Sequence, residues 1–143
     1  LERVAREFAG FKSMGYSAVK GGWGHDLSTA FGLDFDRDLQ LASTVREAVG
    51  PAIDVICDVV ALAGWSAEYG MRFARRAHAE IGLYWLEDPF AEDQYAAYQT
   101  LKSELPELRV CTGEKGWGLD PACRRLDERP VDGTQAGSIT DAG

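Results

Sequence analysis

The feature that most constrains this chain is a regular exchange between two hydrophobic periods. Val4, Phe8 and Phe11 recur at helical spacing until Gly15 stops them, and residues 16–20 then read as a short strand. Phe35, Leu39, Ala42, Val45 and Val49 form a second helical stripe. Asp34, Asp36 and Asp38 sit in its first turn, where acidic groups meet the positive end of the helix dipole, and Gly50-Pro51 ends it. Residues 53–57 make the next strand. Ser66 can then cap a helix whose inner face is Phe73, Ala74, Ala77 and Ile81, with Gly82 as its stop. Residues 84–86 read as a strand. Tyr95, Tyr98, Leu101 and Leu105 mark another helix, closed by Pro106, and residues 108–112 another strand. Asp120-Pro121 predicts a further helix start, and residues 131–135 a weaker last strand.

Strand and helix alternating at roughly 30 residues per unit imply a parallel sheet, because parallel strands need a crossover rather than a hairpin. Two architectures satisfy this pattern: an open doubly wound sheet, and a run of units from an eight-unit barrel. A complete barrel needs about 250 residues. This chain has 143, so in the second case it would be part of one. No linker or low-complexity segment divides it, and a single domain over residues 1–143 is expected. An apolar content of 45% is enough for a core. Fifteen Lys and Arg against 23 Asp and Glu leave a net charge of −8, which argues against a nucleic-acid groove. No apolar run approaches the roughly 18 residues of a membrane span. The opening Leu1-Glu2-Arg3-Val4 has neither Met nor a signal-peptide pattern, so the chain is expected to begin inside a longer protein. Cys57, Cys111 and Cys123 have no CxxC spacing. With no disulfide framework, a cytoplasmic setting is expected, and Cys57 and Cys111 read as buried small hydrophobes.

Chemistry in parallel αβ folds collects at the carboxyl ends of strands. Those ends, in order, carry Lys20, Asp58, Glu87 and Glu114, each one unit from the next. A lone carboxylate there reads as a loop cap or an ion-pair partner. Three from successive strands would converge on one side of the sheet, and three converging anions repel unless protonated or joined by a cation. Oxygen ligands suit a hard divalent ion, Mg2+, with water and substrate filling its other positions.

These residues lie in recognisable surroundings. Tyr16-Ser17-Ala18-Val19-Lys20-Gly21-Gly22-Trp23-Gly24, Asp54-Val55-Ile56-Cys57-Asp58, Trp85-Leu86-Glu87-Asp88-Pro89-Phe90 and Thr112-Gly113-Glu114 together resemble the enolase superfamily. The branch is that of mandelate racemase and muconate lactonizing enzyme, and the resemblance runs over residues 1–143 without the family's amino-terminal capping domain. It implies an α/β fold: part of a (β/α)7β TIM-type barrel, with about five βα units present and the last strands absent. It also implies Mg2+ ligands at Asp58, Glu87 and Glu114. The implied chemistry is abstraction of the proton beside the carboxylate of a small acid, such as a sugar acid, in an enzyme of the acid-sugar dehydratase or racemase type, with the metal's charge meeting the negative charge that develops.

The departures are as informative. The family often carries Lys-x-Lys on its second strand, with the second Lys as base. Lys20 matches the first, where it could offset substrate carboxylate charge, and Gly22 stands in the base position. Val60 replaces an asparagine common in the family. Val131-Asp132-Gly133-Thr134-Gln135 resembles the sixth-strand segment, but the expected Asp after it is missing, and the seventh-strand His of related enzymes has no counterpart. The alternative is therefore a truncated or decayed, non-catalytic homologue that keeps the metal-ligand half. A receiver-type signalling domain fits less well, because its acid pair, phosphoacceptor and late Lys need another order along the chain. His25 reads as a loop residue that could face substrate, His78 as structural, and Trp23 and Trp65 as packing residues. An incomplete barrel would leave strand edges and an apolar inner face at Val55, Cys57, Trp85 and Val110 or their neighbours, so a homo-oligomer is expected.

Overall fold

The computed structural model describes residues 1–22, 31–59, 65–114, 127–128 and 131–134. Within them the two periods become α1 (Glu2–Ser13), β1 (Ala18–Gly21), α2 (Phe35–Val49), β2 (Asp54–Asp58), α3 (Ala67–Arg76), β3 (Trp85–Glu87), α4 (Tyr95–Glu104), β4 (Arg109–Thr112) and β5 (Gly133–Thr134). The helix starts follow from capping chemistry. Asp34 accepts a hydrogen bond from the Arg37 amide at 2.9 Å, and Ser66 accepts one from the Tyr69 amide at 3.1 Å. The helix expected at Asp120-Pro121 lies outside the described residues, as do Gln135, Trp23, His25, Val60 and Cys123.

All strand pairs are parallel, and the order across the sheet is the order along the chain, β1-β2-β3-β4-β5. That order decides between the two candidate architectures. A doubly wound sheet reverses its strand order and covers both faces with helices. Here α1 packs on α2, α2 on α3 and α3 on α4, so the helices form one layer on one side. The sheet is a segment of barrel wall.

Register assigns the two faces. Val19, Val55, Cys57, Leu86 and Val110 are buried beneath the helices with Ala42, Val49, Phe73, Ala74 and Leu101. Each fully buried Leu or Phe in such a layer contributes about 1.5–3 kcal/mol. The opposite face carries Lys20, Ile56 and Asp58, Trp85 and Glu87, and Cys111. Of the residues expected on the inner face, Trp85 lies there, and Ile56 does so in place of its neighbours Val55 and Cys57; Trp85 and Ile56 are both half-buried. A one-residue step along a strand exchanges faces.

The helix expected to run to Ile81 instead widens into a π turn over Ala77–Ile81 before Gly82 ends it at φ 63°. Arg46, near the end of α2, binds the end of this turn. Its Nε donates to Ile81 O at 2.8 Å and Nη2 to Gly82 O at 3.0 Å, while Nη1 donates to Gly50 O at 2.8 Å and Ile53 O at 2.6 Å. One guanidinium thus satisfies carbonyls from the end of α2, the entry to β2 and the end of the π turn. This clamp lies at the amino ends of the strands, away from the end where the site forms.

Two outcomes are expected. Arg46→Ala should lower the unfolding free energy in urea by about 2–4 kcal/mol, and Arg46→Lys should recover only part, because an ammonium cannot reach four carbonyls. A loss indistinguishable from that of a surface substitution would remove the clamp. The second concerns Asp38, which is fully buried and accepts from Tyr69 Oη at 2.9 Å and from the Gly32 amide. Burial pushes its carboxyl above the ordinary range, against the lowering effect of those two hydrogen bonds. The folded state then keeps a proton that the unfolded chain has lost, so stability falls as pH rises from the ordinary carboxyl value to the raised one, and is level beyond it. Asp38→Asn should flatten that fall in urea titrations at several pH values; parallel profiles for the two proteins would refute it.

Candidate metal centre

The site grows from the ends of two strands. Asp58 closes β2 and Glu87 closes β3, and the ladder pairs them directly, so their side chains leave the sheet side by side on the same face. Both are buried, with side-chain exposures of 7% and 1%. Lys20 lies on that face too, paired with Ile56 and therefore two residues below the level of Asp58. Its long stem makes up the distance. Nζ stands 2.9 Å from Asp58 Oδ2 and donates to Glu87 Oε1 and Oε2, each at 2.9 Å. Burial alone would lower the Lys20 ammonium, but hydrogen bonds to Glu87 and Asp58, together with their charges, outweigh it and leave it raised. Two neighbouring carboxylates buried at a sheet end thus share a cation, which offsets their mutual repulsion.

A buried polar chain supports the Glu87 end. Asp88 adopts φ 48°, a left-handed backbone that a non-glycine residue rarely takes, and it does so immediately before Pro89. Its amide donates to Cys111 O at 2.9 Å, so the ladder continues one step past β3. Its carboxylate accepts from Thr112 Oγ1 at 2.6 Å. Tyr98 Oη lies 2.9 Å from the same Thr112 oxygen and 2.7 Å from Phe90 O. The chain ties the ends of β3 and β4 to α4. Burial pushes the Asp88 carboxyl up to about 6, against the Thr112 hydrogen bond, and the charges of Glu114, Asp58 and Glu87 add to the rise. In the sequence Asp88 stands out only as part of the Trp85–Phe90 motif. Its signal is the unusual placement of an acid between a buried strand and a proline.

Glu114 is placed differently. It is exposed, two residues beyond β4 and just after Gly113, whose φ of 117° takes the chain out of the ladder. Its charge reaches Asp88. Among the described residues, no three His, Cys, Asp or Glu side chains gather as a metal-holding group. The ladder brings Asp58 and Glu87 together, and Glu114 follows beyond its end. Strand register positions a side chain only as far as the ladder runs, and Glu114 is past its end.

The remaining candidates sort by burial. Cys57 and Cys111 are buried free thiols, pushed by desolvation up to about 12 and about 11, so neither is poised as a nucleophile. Trp65 packs among Tyr69 and Phe73, as a core residue. His78 lies in the π turn that precedes the amino end of β3, whereas Glu87 closes that strand's carboxyl end. Gly22 carries the one constraint that residue type alone does not reveal. With φ at 137°, a Cβ there would collide with the Asp58 carbonyl oxygen. The position where related proteins often carry a lysine is closed by the close approach of β1 to the end of β2.

The donor set fits a hard cation. Three carboxylate oxygens, one from Asp58 and two from Glu87, already converge on one positively charged nitrogen, and all are the oxygen ligands that a divalent ion of the magnesium type prefers.

A one-layered parallel βα wall, with acids closing adjacent strands at the carboxyl edge, defines the catalytic side of a barrel protein. The chain belongs to the enolase superfamily: residues 3–143 match the family described as Enolase C-terminal domain-like. It is 30% identical over 128 residues to a D-galactarolactone cycloisomerase of Agrobacterium fabrum (strain C58), an alignment covering 90% of this chain and 31% of that protein. Among solved structures, the 3,6-anhydro-D-galactonate cycloisomerase of Zobellia galactanivorans superposes with a TM-score of 0.79 at 24% identity, covering 94% of this chain and 35% of the other. A mandelate racemase/muconate lactonizing protein of Paracoccus denitrificans Pd1222 superposes with a TM-score of 0.76 at 26% identity, covering 94% and 35%. The chain thus spans about a third of the length of these relatives.

The closure at Gly22 generates a prediction. Gly22→Lys should not install a second lysine in the site. It should destabilise the protein by about 1–3 kcal/mol through backbone strain and overpacking against Asp58. Chemical denaturation measures this, and a variant as stable as the parent would show that β1 and β2 are not in close contact there.

Proposed function

We propose that this chain carries the metal-holding half of an enolase-superfamily active site, working on a small carboxylate of the sugar-acid type. The observation that carries this reading is the pairing of Asp58 and Glu87, buried side by side at the carboxyl ends of adjacent strands and converging on one cation. Asp58 and Glu87 would hold Mg2+, with Glu114 as the third ligand. The bound ion supplies positive charge against the negative charge that grows on the substrate carboxylate as the neighbouring proton leaves. Lys20 adds a second positive charge for the same carboxylate. Asp88, Thr112 and Tyr98 keep the ends of β3 and β4 in fixed relation, so that Glu87 does not turn with each encounter. The cycloisomerase relatives motivate a sugar acid or its lactone as substrate.

On this reading residues 1–143 form one barrel-wall domain, in a cytoplasmic protein that associates with a second copy. Among the described residues, β1 and β5 are each paired on one side only, which favours such association. No described helix is long and apolar enough to cross a membrane.

A second reading is favoured by Gly22. With the base position of the second strand closed to any side chain, the chain would keep the metal pair without proton transfer, as a non-catalytic homologue. Two measurements distinguish the readings. Mn2+ binding, followed by electron paramagnetic resonance, should be present in the parent and weakened roughly a hundredfold or more by Glu87→Gln or Asp58→Asn. Exchange of the α-proton of sugar acids in heavy water should require added Mg2+ and disappear in Glu87→Gln. Metal binding without exchange would select the non-catalytic reading, and Mn2+ affinity unaltered by either substitution would overturn both.

A further inference from the structure

Both acids are in contact with a cationic side chain of the protein itself. Lys20 Nζ lies at 2.9 Å from Asp58 Oδ2 and from both Glu87 oxygens, the position that a cation shared by these two carboxylates would take. An ammonium and a divalent ion cannot occupy it together: at such separations two positive centres repel by several kcal/mol even at an effective dielectric constant of about 20. We infer that Lys20 is the internal counter-ion of the metal-free protein, and that a divalent ion enters the acid pair only by displacing it. The inference rests on the metal-site reading above.

Three features of the structure support an exchange rather than a fixed ion pair. The acids are held by the ladder: Asp58 and Glu87 are paired strand residues with almost fully buried side chains. Lys20 is 37% exposed and ends a flexible four-carbon stem, so it alone of the three can swing toward solvent without moving a strand. Gly22 then leaves no side chain two residues further along β1, next to the Asp58 carbonyl, to compete with the displaced ammonium for space. The charges follow the same logic. Two carboxylates with one ammonium carry −1. With a divalent ion in its place they are neutral, and the ammonium is released beside them. Metal entry therefore frees Lys20 for an anionic ligand, which makes the order of binding metal first and carboxylate second.

Lys20→Met keeps the length of the stem and removes the charge. At fixed neutral pH the purified variant should bind Mn2+ roughly tenfold more tightly than the parent, because no ammonium has to be displaced. In EDTA it should unfold at a lower temperature than the parent, and added Mn2+ should remove the difference. A lysine-side signal in the parent gives an independent reading that does not depend on the variant folding: the Lys20 1Hε–13Cε resonance, assigned with Lys20→Arg, should move on addition of Mg2+. Equal or weaker Mn2+ binding by Lys20→Met, with binding still lost in Asp58→Asn, would overturn the exchange and leave the metal site standing. An unmoved Lys20 resonance at saturating Mg2+ would overturn it likewise. Mn2+ affinity that neither Lys20→Met nor Asp58→Asn alters would overturn both.

Discussion

Parallel strands can pair only after the chain has been carried back across the sheet, and this one constraint organises the molecule. Each return needs a helix, and each helix must bury one apolar stripe. Because successive strands are laid down in chain order, the four long helices of the described residues fall in a single layer. That layer takes up Val19, Val55, Leu86 and Val110, and so every second residue of each strand is committed to packing. The other residues are left to the opposite face. Asp58 and Glu87 meet there because the ladder puts them level, not because they attract one another.

The two ends of the sheet have different duties. At the amino ends, Arg46 gathers four backbone carbonyls from three segments, a structural role in which a planar guanidinium outperforms any ammonium. At the carboxyl ends, polar groups are concentrated at a cost. A pair of buried carboxylates needs a cation, Asp88 holds a left-handed backbone, and its carboxyl is driven up by burial. Strain and desolvation gathered at one end of a sheet whose other end is well satisfied are what a functional edge requires.

The catalytic question turns on close packing. Gly22 stands where related proteins often carry a base, and its substitution by glycine could be read as a simple deletion of a side chain. The geometry is more restrictive, since the Asp58 carbonyl fills the space in which a Cβ would lie. The same contact that seats the end of β2, and with it Asp58, leaves no room for a side chain at Gly22.

Much of the fold was legible in the residues themselves. Helical stripes such as Phe35-Leu39-Ala42, the caps Asp34 and Ser66, and the stops Gly50 and Gly82 are local signals, and local hydrogen bonding answers them directly. The acids Asp58 and Glu87 were legible because a polar residue that closes an apolar strand has one place to go. What only the tertiary structure decided depends on distances between segments far apart in the chain. Strand order separated a barrel wall from a doubly wound sheet. Register decided which apolar residues face which way, placing Ile56 and Trp85 on the inner surface and Val55 and Cys57 beneath the helices. Arg46 binds a carbonyl at the end of a helical turn 35 positions away. Lys20 reached across two strands to the acids, and Glu114 lies beyond the ladder, which stops at Thr112. Periodicity determines which residues form an element. Register and close approach determine which of them meet.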